Sequence, residues 1–258
     1  MILTRLGNKR KLREALHKHF PYHKMRIELF FGAGGSFFYL PTPKHSILND
    51  ADDDVTNLYL TLLHQKEALI KSIETLPISE TLLKYWVENK ETDPVLKATR
   101  FLLLSNFTYL GKANTLRLGK DHTKRNLLNR IEPTFEKLKN SKIVTSDFRE
   151  VLDKISFDKD VTPKSECFIY LDPIYIGTEH NYNVKKWTEK DTEDCFKIMA
   201  SSGIKAAMSE FDNPFIMDLV DKYKMNVIFL KERQNIKNKR NEILITNYKI
   251  GQTSFFNQ

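Results

Sequence analysis

Seven short runs of nearly uninterrupted apolar character organise this 258-residue chain, at 26–31, 46–50, 142–147, 167–172, 205–210, 226–230 and 242–248. Each has strand length, and most are apolar throughout instead of alternating, the pattern of strands covered on both faces. Helical patterns separate several of them, for example at 189–201 and 214–224. This order predicts a mainly parallel α/β sheet with helices on both sides. The last two runs are joined only by a polar segment, 231–241, without an apolar helical face. So short a link favours an antiparallel pair at the end of the sheet.

The interval between the second and third runs, about 52–140, is far longer than an ordinary crossover and predicts an inserted subdomain. It opens on a helical pattern with Val55, Leu58, Tyr59, Leu62 and Leu63 on one face, and a second helical stretch spans about 94–104. Over 106–122 the pattern breaks, with Gly111 and Gly119 flanking Lys112, Asn114, Thr115 and Arg117 after the aromatic Phe107 and Tyr109. An exposed loop or hairpin is expected there, with helix resuming near 126 and ending around 140.

Lys and Arg number 41 against 33 Asp and Glu, a net charge of +8 that attracts polyanions without defining which. Cys167 and Cys195 are too few for a disulfide framework and lack zinc-site spacing, and the histidines show no ligand spacing either. The run Asp52-Asp53-Asp54 suits the start of a helix better than a cation, so no metal is assigned. No stretch approaches the roughly 20 apolar residues of a membrane span, and the first residues lack the apolar segment of a secretory signal. A cytoplasmic protein is expected.

Four motifs can carry chemistry. Glu28-Leu29-Phe30-Phe31-Gly32-Ala33-Gly34-Gly35-Ser36 leads a strand straight into glycines, which permit positive φ and the close approach of a ligand. Phe37 stands where the dinucleotide fingerprint needs its third glycine, which disfavours a pyrophosphate site; a plain tight turn stays open as a reading. Leu48-Asn49-Asp50 ends the next run with a carboxylate that suits two vicinal hydroxyls, or caps a helix. Ser146-Asp147-Phe148 has the same two readings, with an aromatic neighbour able to cover a purine. The most informative is Phe168-Ile169-Tyr170-Leu171-Asp172-Pro173-Ile174-Tyr175, a buried strand that delivers Asp-Pro-x-Tyr to the edge where open α/β sheets bind ligands. A carboxylate, a carbonyl on a proline of fixed φ and an aromatic face suit a planar base with an exocyclic amine.

In order, Leu6-Gly7-Asn8-Lys9-Arg10-Lys11-Leu12, Phe30-Phe31-Gly32-Ala33-Gly34, Asn49-Asp50, Ser146-Asp147-Phe148 and Asp172-Pro173-Ile174-Tyr175 resemble the Dam family of DNA adenine-N6 methyltransferases, the alpha group. The likeness spans nearly the whole chain. It implies a Rossmann-like S-adenosylmethionine-dependent methyltransferase sheet, residues 1–51 and 141–258, with a mainly helical inserted target-recognition domain at 52–140. It implies that Gly7, Asn8, Lys9, Phe31, Gly32 and Gly34 surround the methionine part of S-adenosylmethionine, with Asp172 on the same side. Asp50 would hold the ribose, and Asp147 would accept from the cofactor's adenine amino group beside Phe148. Asp172 and the Pro173 carbonyl would bind the amine of the target adenine and Tyr175 would stack on that base, while Tyr182 would hold the base or order the loop. The implied chemistry is direct methyl transfer to a base flipped out of a duplex, leaving S-adenosylhomocysteine, with no metal or covalent intermediate and with positioning as the main catalytic device.

Ile174 departs from the family's usual second proline, restoring an N–H and loosening φ, and Arg5 stands where relatives often carry an aromatic residue. In the insertion, Lys112, Lys120, Lys124 and Arg125 suit phosphates, whereas Asn114, Thr115 and Arg117 are candidates for base edges. The opposing reading of this stretch is a solvated face. A second basic run, 231–240, suits the far side of the duplex or a hairpin tip. The implied partners are double-stranded DNA and, for a bacterial or phage enzyme that is not solitary, a cognate restriction endonuclease. Two alternatives stand beside this: RNA adenine methylation, which a basic major-groove reader serves badly, and a DNA-binding protein with a decayed site, against which the retained Asp172, Tyr175 and glycines argue.

Overall fold

The structure, a computed structural model, describes residues 1–3, 12–119, 121–178, 184–235 and 238–249. Among these, β1 (Met25–Glu28), β2 (His45–Asn49), β3 (Ser141–Val144), β4 (Cys167–Leu171), β5 (Lys205–Phe211), β6 (Asn226–Asn235) and β7 (Asn238–Thr246) join in one sheet. Their order is β3-β2-β1-β4-β5-β7-β6. The pairings β1–β2, β2–β3, β1–β4 and β4–β5 are parallel, whereas β7 runs antiparallel to both β5 and β6. The chain builds outward from β1 to β3 on one side and from β4 to β6 and β7 on the other. The carboxyl ends of β1 and β4 therefore flank the point where the winding reverses, the place where such sheets leave a crevice.

The closing hairpin is longer than its apolar runs. Lys231 pairs with Glu242 and the ladder continues to Asn235 and Asn238, so most of the polar segment expected as a connection is strand. Antiparallel pairing satisfies the backbone without needing apolar side chains, which is why that part leaves no apolar signature.

The helices are set by local chemistry. In α2 (Asp53–His64) the Asp52 carboxylate accepts from the Asp54 N–H, and acids fill the first turn, so the acidic run does start a helix. Ser79 caps α4 (Glu80–Glu88), and Asp93 caps α5 (Pro94–Asn106), which begins on a proline. Thr188 and Asp191 form a reciprocal capping box at α7 (Glu189–Ser201), and Asn213 caps α8 (Pro214–Tyr223). The remaining helices are α1 (Arg13–His17), α3 (Lys66–Thr75) and α6 (Thr123–Leu138). No helix among the described residues is long and apolar enough to cross a membrane.

Each face of the sheet has its own core. Ile27, Leu29, Ile169, Leu171, Met208, Ile243 and Ile245 pack against Phe196 and Met199 of α7 and Ile216 and Val220 of α8. On the opposite face Phe168, Tyr170, Ala207 and Leu244 meet Leu12 and Leu16 at α1. Leu48, Phe31 and Phe37 share a third cluster with Leu58, Leu69, Leu83, Leu102 and Ile131 of the inserted helices. The insertion is thus continuous with the core near β2, with α2 directly after β2 and α6 directly before β3 in chain order. Beyond α5 the chain makes a small hairpin, in which Tyr109 donates its N–H to the Thr115 carbonyl at 2.8 Å and Thr108 bridges Leu116.

Candidate active site

The glycine turn after β1 has positive φ at Gly32 (+51°) and Gly34 (+65°), which a side chain would strain. A Cβ at Gly34 would fall 2.5 Å from the Phe38 ring, so that glycine is needed for packing. Among the described residues, no atom beyond its chain neighbours lies within 4 Å of where a Cβ at Gly32 would sit, which leaves the backbone there open to a ligand. The turn is tied to the next strand by Asp50, whose Oδ2 accepts from the Gly32 N–H at 2.7 Å and whose Oδ1 accepts from the Asp52 N–H at 2.9 Å. Asp52, not Asp50, caps α2. Asn49 is buried beneath them and donates to the Leu29 carbonyl at 2.9 Å and the Ser146 carbonyl at 3.1 Å. One amide therefore brackets the ends of three motifs, a role its sequence position did not reveal.

Asp147 follows β3 and takes the Arg149 N–H at 3.0 Å, capping a single 3-10 turn. The Arg149 guanidinium also bonds Asp147 at 3.0 Å, Asp194 at 2.8 Å and Asp191, and lies 4.4 Å from the centre of the Phe148 ring. Arg149 thereby joins the end of β3 to the first turns of α7. Phe148 sits 5.0 Å from Phe30 and 5.6 Å from Trp187, ring centre to ring centre, and Trp187 is fixed by its indole N–H on Thr192 at 2.8 Å. Phe30, quoted only within its motif, and Trp187 carry no role of their own in the sequence reading, because only the fold brings residues so distant in the chain onto Phe148.

Across the crevice, Asp172 and Pro173 follow β4 directly, beside the Gly32 turn that follows β1. Tyr175 is buried, its ring edge-on to Phe211 at 4.8 Å, and its hydroxyl donates to Glu242 Oε1 on β7 at 3.0 Å. Burial raises its phenol far above the ordinary value, as do the charges of Asp172 and Glu242. Behind this wall Tyr170 shares a 2.8 Å hydrogen bond with Ser209.

Glu28, at the end of β1, is almost fully buried against Arg26 at 2.7 Å. Burial pushes its carboxyl up to about 7 from 4.5, against the pull of Arg26 and with the help of Asp172. Between those two pH values the folded chain keeps a proton that the unfolded chain releases. The stabilisation is fully present below the unfolded value and is lost as pH rises through the folded one. Denaturant unfolding across that window is expected to show wild type losing on the order of 1 to 3 kcal/mol relative to Glu28→Gln. Parallel pH profiles would mean that the carboxyl is not raised.

The insertion's polar candidates separate into two groups. Lys112, Asn114, Thr115 and Arg125 are exposed. Arg117 is exposed too, but one nitrogen of its guanidinium donates to the Asn106 carbonyl at 3.2 Å and Thr123 Oγ1 at 2.7 Å, and Lys124 donates to the Glu74 and Leu76 carbonyls at 2.9 and 2.8 Å. They fasten the hairpin to α6 and close the end of α3. Gly7, Asn8, Lys9, Lys120 and Tyr182 lie outside the described residues. No group of three His, Cys, Asp or Glu among the described residues is arranged to hold a metal ion.

A family model described as D12 class N6 adenine-specific DNA methyltransferase matches residues 6–236. Among curated proteins, the type II methyltransferase M1.LlaDCHI of Lactococcus lactis subsp. cremoris is 23% identical over 249 residues, 86% of this chain and 86% of its own length. Among solved structures, the crystal structure of WT Trm5b from Pyrococcus abyssi matches 95% of this chain at 13% identity with a TM-score of 0.36, and this chain spans about half, 49%, of that one.

Proposed function

The chain belongs to the D12 class N6 adenine-specific DNA methyltransferases, and from that premise we propose how its residues divide the work of methylating adenine in DNA. The observation that carries the proposal is the adjacency of the Gly32 turn and the Asp172-Pro173 corner at the ends of paired parallel strands. One side of the crevice offers open backbone and a ribose-type acceptor, and the other a carboxylate, a carbonyl and an aromatic ring.

The residues on the β1–β3 side fit S-adenosylmethionine. Open space over Gly32 admits the methionine part, which Gly7, Asn8, Lys9, Phe31 and Gly34 surround. Asp50 has a carboxylate suited to ribose hydroxyls, and Asp147 with Phe148, Phe30 and Trp187 suits an adenine ring. When bound, S-adenosylmethionine supplies an electrophilic methyl group. Asp172 and the Pro173 carbonyl accept the two amine hydrogens of the target adenine, which orients the nitrogen lone pair and draws off positive charge as it develops. Tyr175 packs on that base, with Tyr182 assisting. The catalytic part is 1–51 with 141–258, and 52–140 reads the DNA. Lys112 and Arg125, with Lys120, hold phosphates, and Asn114 and Thr115 face base edges. Double-stranded DNA in a bacterial or phage-infected cytoplasm is the substrate, and the matching partner, for an enzyme that is not solitary, is a cognate restriction endonuclease.

The test is to incubate the protein with S-adenosylmethionine and unmethylated plasmid DNA, digest to nucleosides and assay N6-methyladenine by mass spectrometry, with a structured RNA in parallel. Methylation of the duplex alone is expected. Methylation of the RNA alone would overturn the choice of substrate.

Arg117 gives a second test. Because Arg117 bonds the Asn106 carbonyl and Thr123, Arg117→Ala is expected to lower stability by about 1 kcal/mol. It should also weaken binding to matched and mismatched duplexes equally. Unchanged melting together with relaxed sequence choice would instead make Arg117 a base reader.

A further inference from the structure

Tyr175 is held from outside its own loop. Its ring and its hydroxyl engage two residues that are direct partners across the β5–β7 ladder, Phe211 and Glu242. That pair sits at an unusually well-fixed point of the sheet. One step away Asp212 grips Asn241 three times: its carboxylate accepts from the Asn241 N–H at 2.8 Å and from the side-chain amide at 2.7 Å, and its own N–H donates to the Asn241 carbonyl at 3.0 Å. On the other side of β7 the β6 ladder slips between Phe229 and Lys231, so the bulge falls where β6 passes from Ile243 to Glu242. The extra residue is on β6, and a bulge of this kind increases the local twist of the ladder that β6 shares with β7. Glu242 is fully buried, so holding a carboxyl there has a desolvation cost that a plain core position would avoid.

We propose that Glu242 is a positioning residue for methyl transfer: the closing antiparallel hairpin, through the Glu242–Tyr175 hydrogen bond and the Phe211 ring, sets the angle and depth of the Tyr175 ring in the target-base pocket. This rests on the reading of Asp172 to Tyr175 as that pocket. It gives the bulge, the buried acid and the Asp212–Asn241 clasp one purpose. It also supplies a restraint next to Ile174, where the backbone keeps a freedom that proline would remove.

The experiment is a double-mutant cycle in single-turnover methylation, with Tyr175→Phe, Glu242→Gln, Glu242→Ala and the two doubles that combine Tyr175→Phe with each Glu242 change. Cofactor affinity, duplex affinity and melting temperature are measured alongside. Tyr175→Phe keeps the ring and removes only the anchor, and it is expected to slow the step about ten-fold, the rate equivalent of one lost hydrogen bond. Duplex affinity should stay close to wild type, while melting falls because the buried Glu242 carboxylate loses a donor. Glu242→Gln, which keeps an acceptor in place, should retain most of the rate, and Glu242→Ala should slow wild type but leave Tyr175→Phe no slower. Independent, multiplying effects of Tyr175→Phe and Glu242→Ala would overturn the proposal, as would a Tyr175→Phe enzyme as fast as wild type. If Glu242→Ala does not fold, Tyr175→Phe and Glu242→Gln still decide it, because equal losses in both would leave no anchoring role for the retained acceptor. An Asp172→Ala control separates the two levels: full activity there removes the pocket reading itself, whereas inactivity there with an unaffected Tyr175→Phe removes only the role of Glu242.

Discussion

Asp172→Ala is expected to cut the methylation rate by on the order of 10²- to 10³-fold, the usual loss when one pre-positioned hydrogen-bonding group is taken from the reacting centre. Its duplex affinity should persist, since the basic contacts assigned to DNA lie in the insertion. The size follows from position: Asp172 is the first residue beyond a strand that is buried from end to end, so the backbone that presents its carboxylate has little freedom to relax. Asp172→Asn keeps the shape and one acceptor oxygen but loses the charge that matches a positive nitrogen, and it should fall between alanine and wild type. Single-turnover methylation of a duplex oligonucleotide, with binding measured separately, checks both. An alanine variant within about two-fold of wild type would remove this carboxylate from the reacting centre.

Asp50→Ala should act on a different quantity, the affinity for S-adenosylmethionine or its demethylated product. Losing a charge-assisted acceptor costs about 1.5 to 3 kcal/mol, or roughly ten- to a hundred-fold in Kd. In this chain the loss is compounded, because the same carboxylate accepts from the Gly32 N–H and so shapes the turn over which the cofactor is proposed to lie. Asp50→Asn preserves an acceptor for that N–H and should recover part of the affinity. Calorimetric titration of the DNA-free protein measures this directly. Affinity unchanged within a factor of about three in the alanine variant would mean that the ribose is held elsewhere.

The strands were legible because burial on both faces writes itself as uninterrupted apolar residues, as in Cys167 to Leu171. α7 was legible to the residue, since its capping threonine and amphipathic face agree. α3 and α4 were not, because each buries only two residues, Leu69 with Ile73 and Leu83 with Trp86, too few to establish a helical period. Ser79 ahead of Glu80 was the available signal for α4. In the site, the motif residues at strand ends could be found because strand ends are where a sheet presents groups. Their supports could not: Asn49 reaches Ser146, Arg149 reaches Asp191 and Asp194, and Tyr175 reaches Glu242, partners tens of residues or more away. Arg117 and Lys124 show the same blindness from the other side. Their charge suggests DNA, and the carbonyls to which they also donate, at Asn106 and at Glu74 and Leu76, belong to helix ends that only the fold brings near.

The inserted segment leaves the sheet after β2 and returns at β3, and the Asp50 N–H meets the Val144 carbonyl at 3.2 Å across that gap. The excursion begins and ends almost at one point. The entropy of closing such a loop rises only with the logarithm of its length, about 0.6 kcal/mol per doubling. Lengthening or replacing what lies inside is therefore cheap, provided the parts that join the core are kept. α2 and α6 carry Leu58 and Ile131 into the same cluster as Leu48, so the natural cutting points for exchanging the proposed target reader fall just inside those helices and not at the strands. If 52–140 reads the DNA as proposed, a lineage of such enzymes can change which sequence it marks by trading that interior, while the rest of the chain is inherited unaltered.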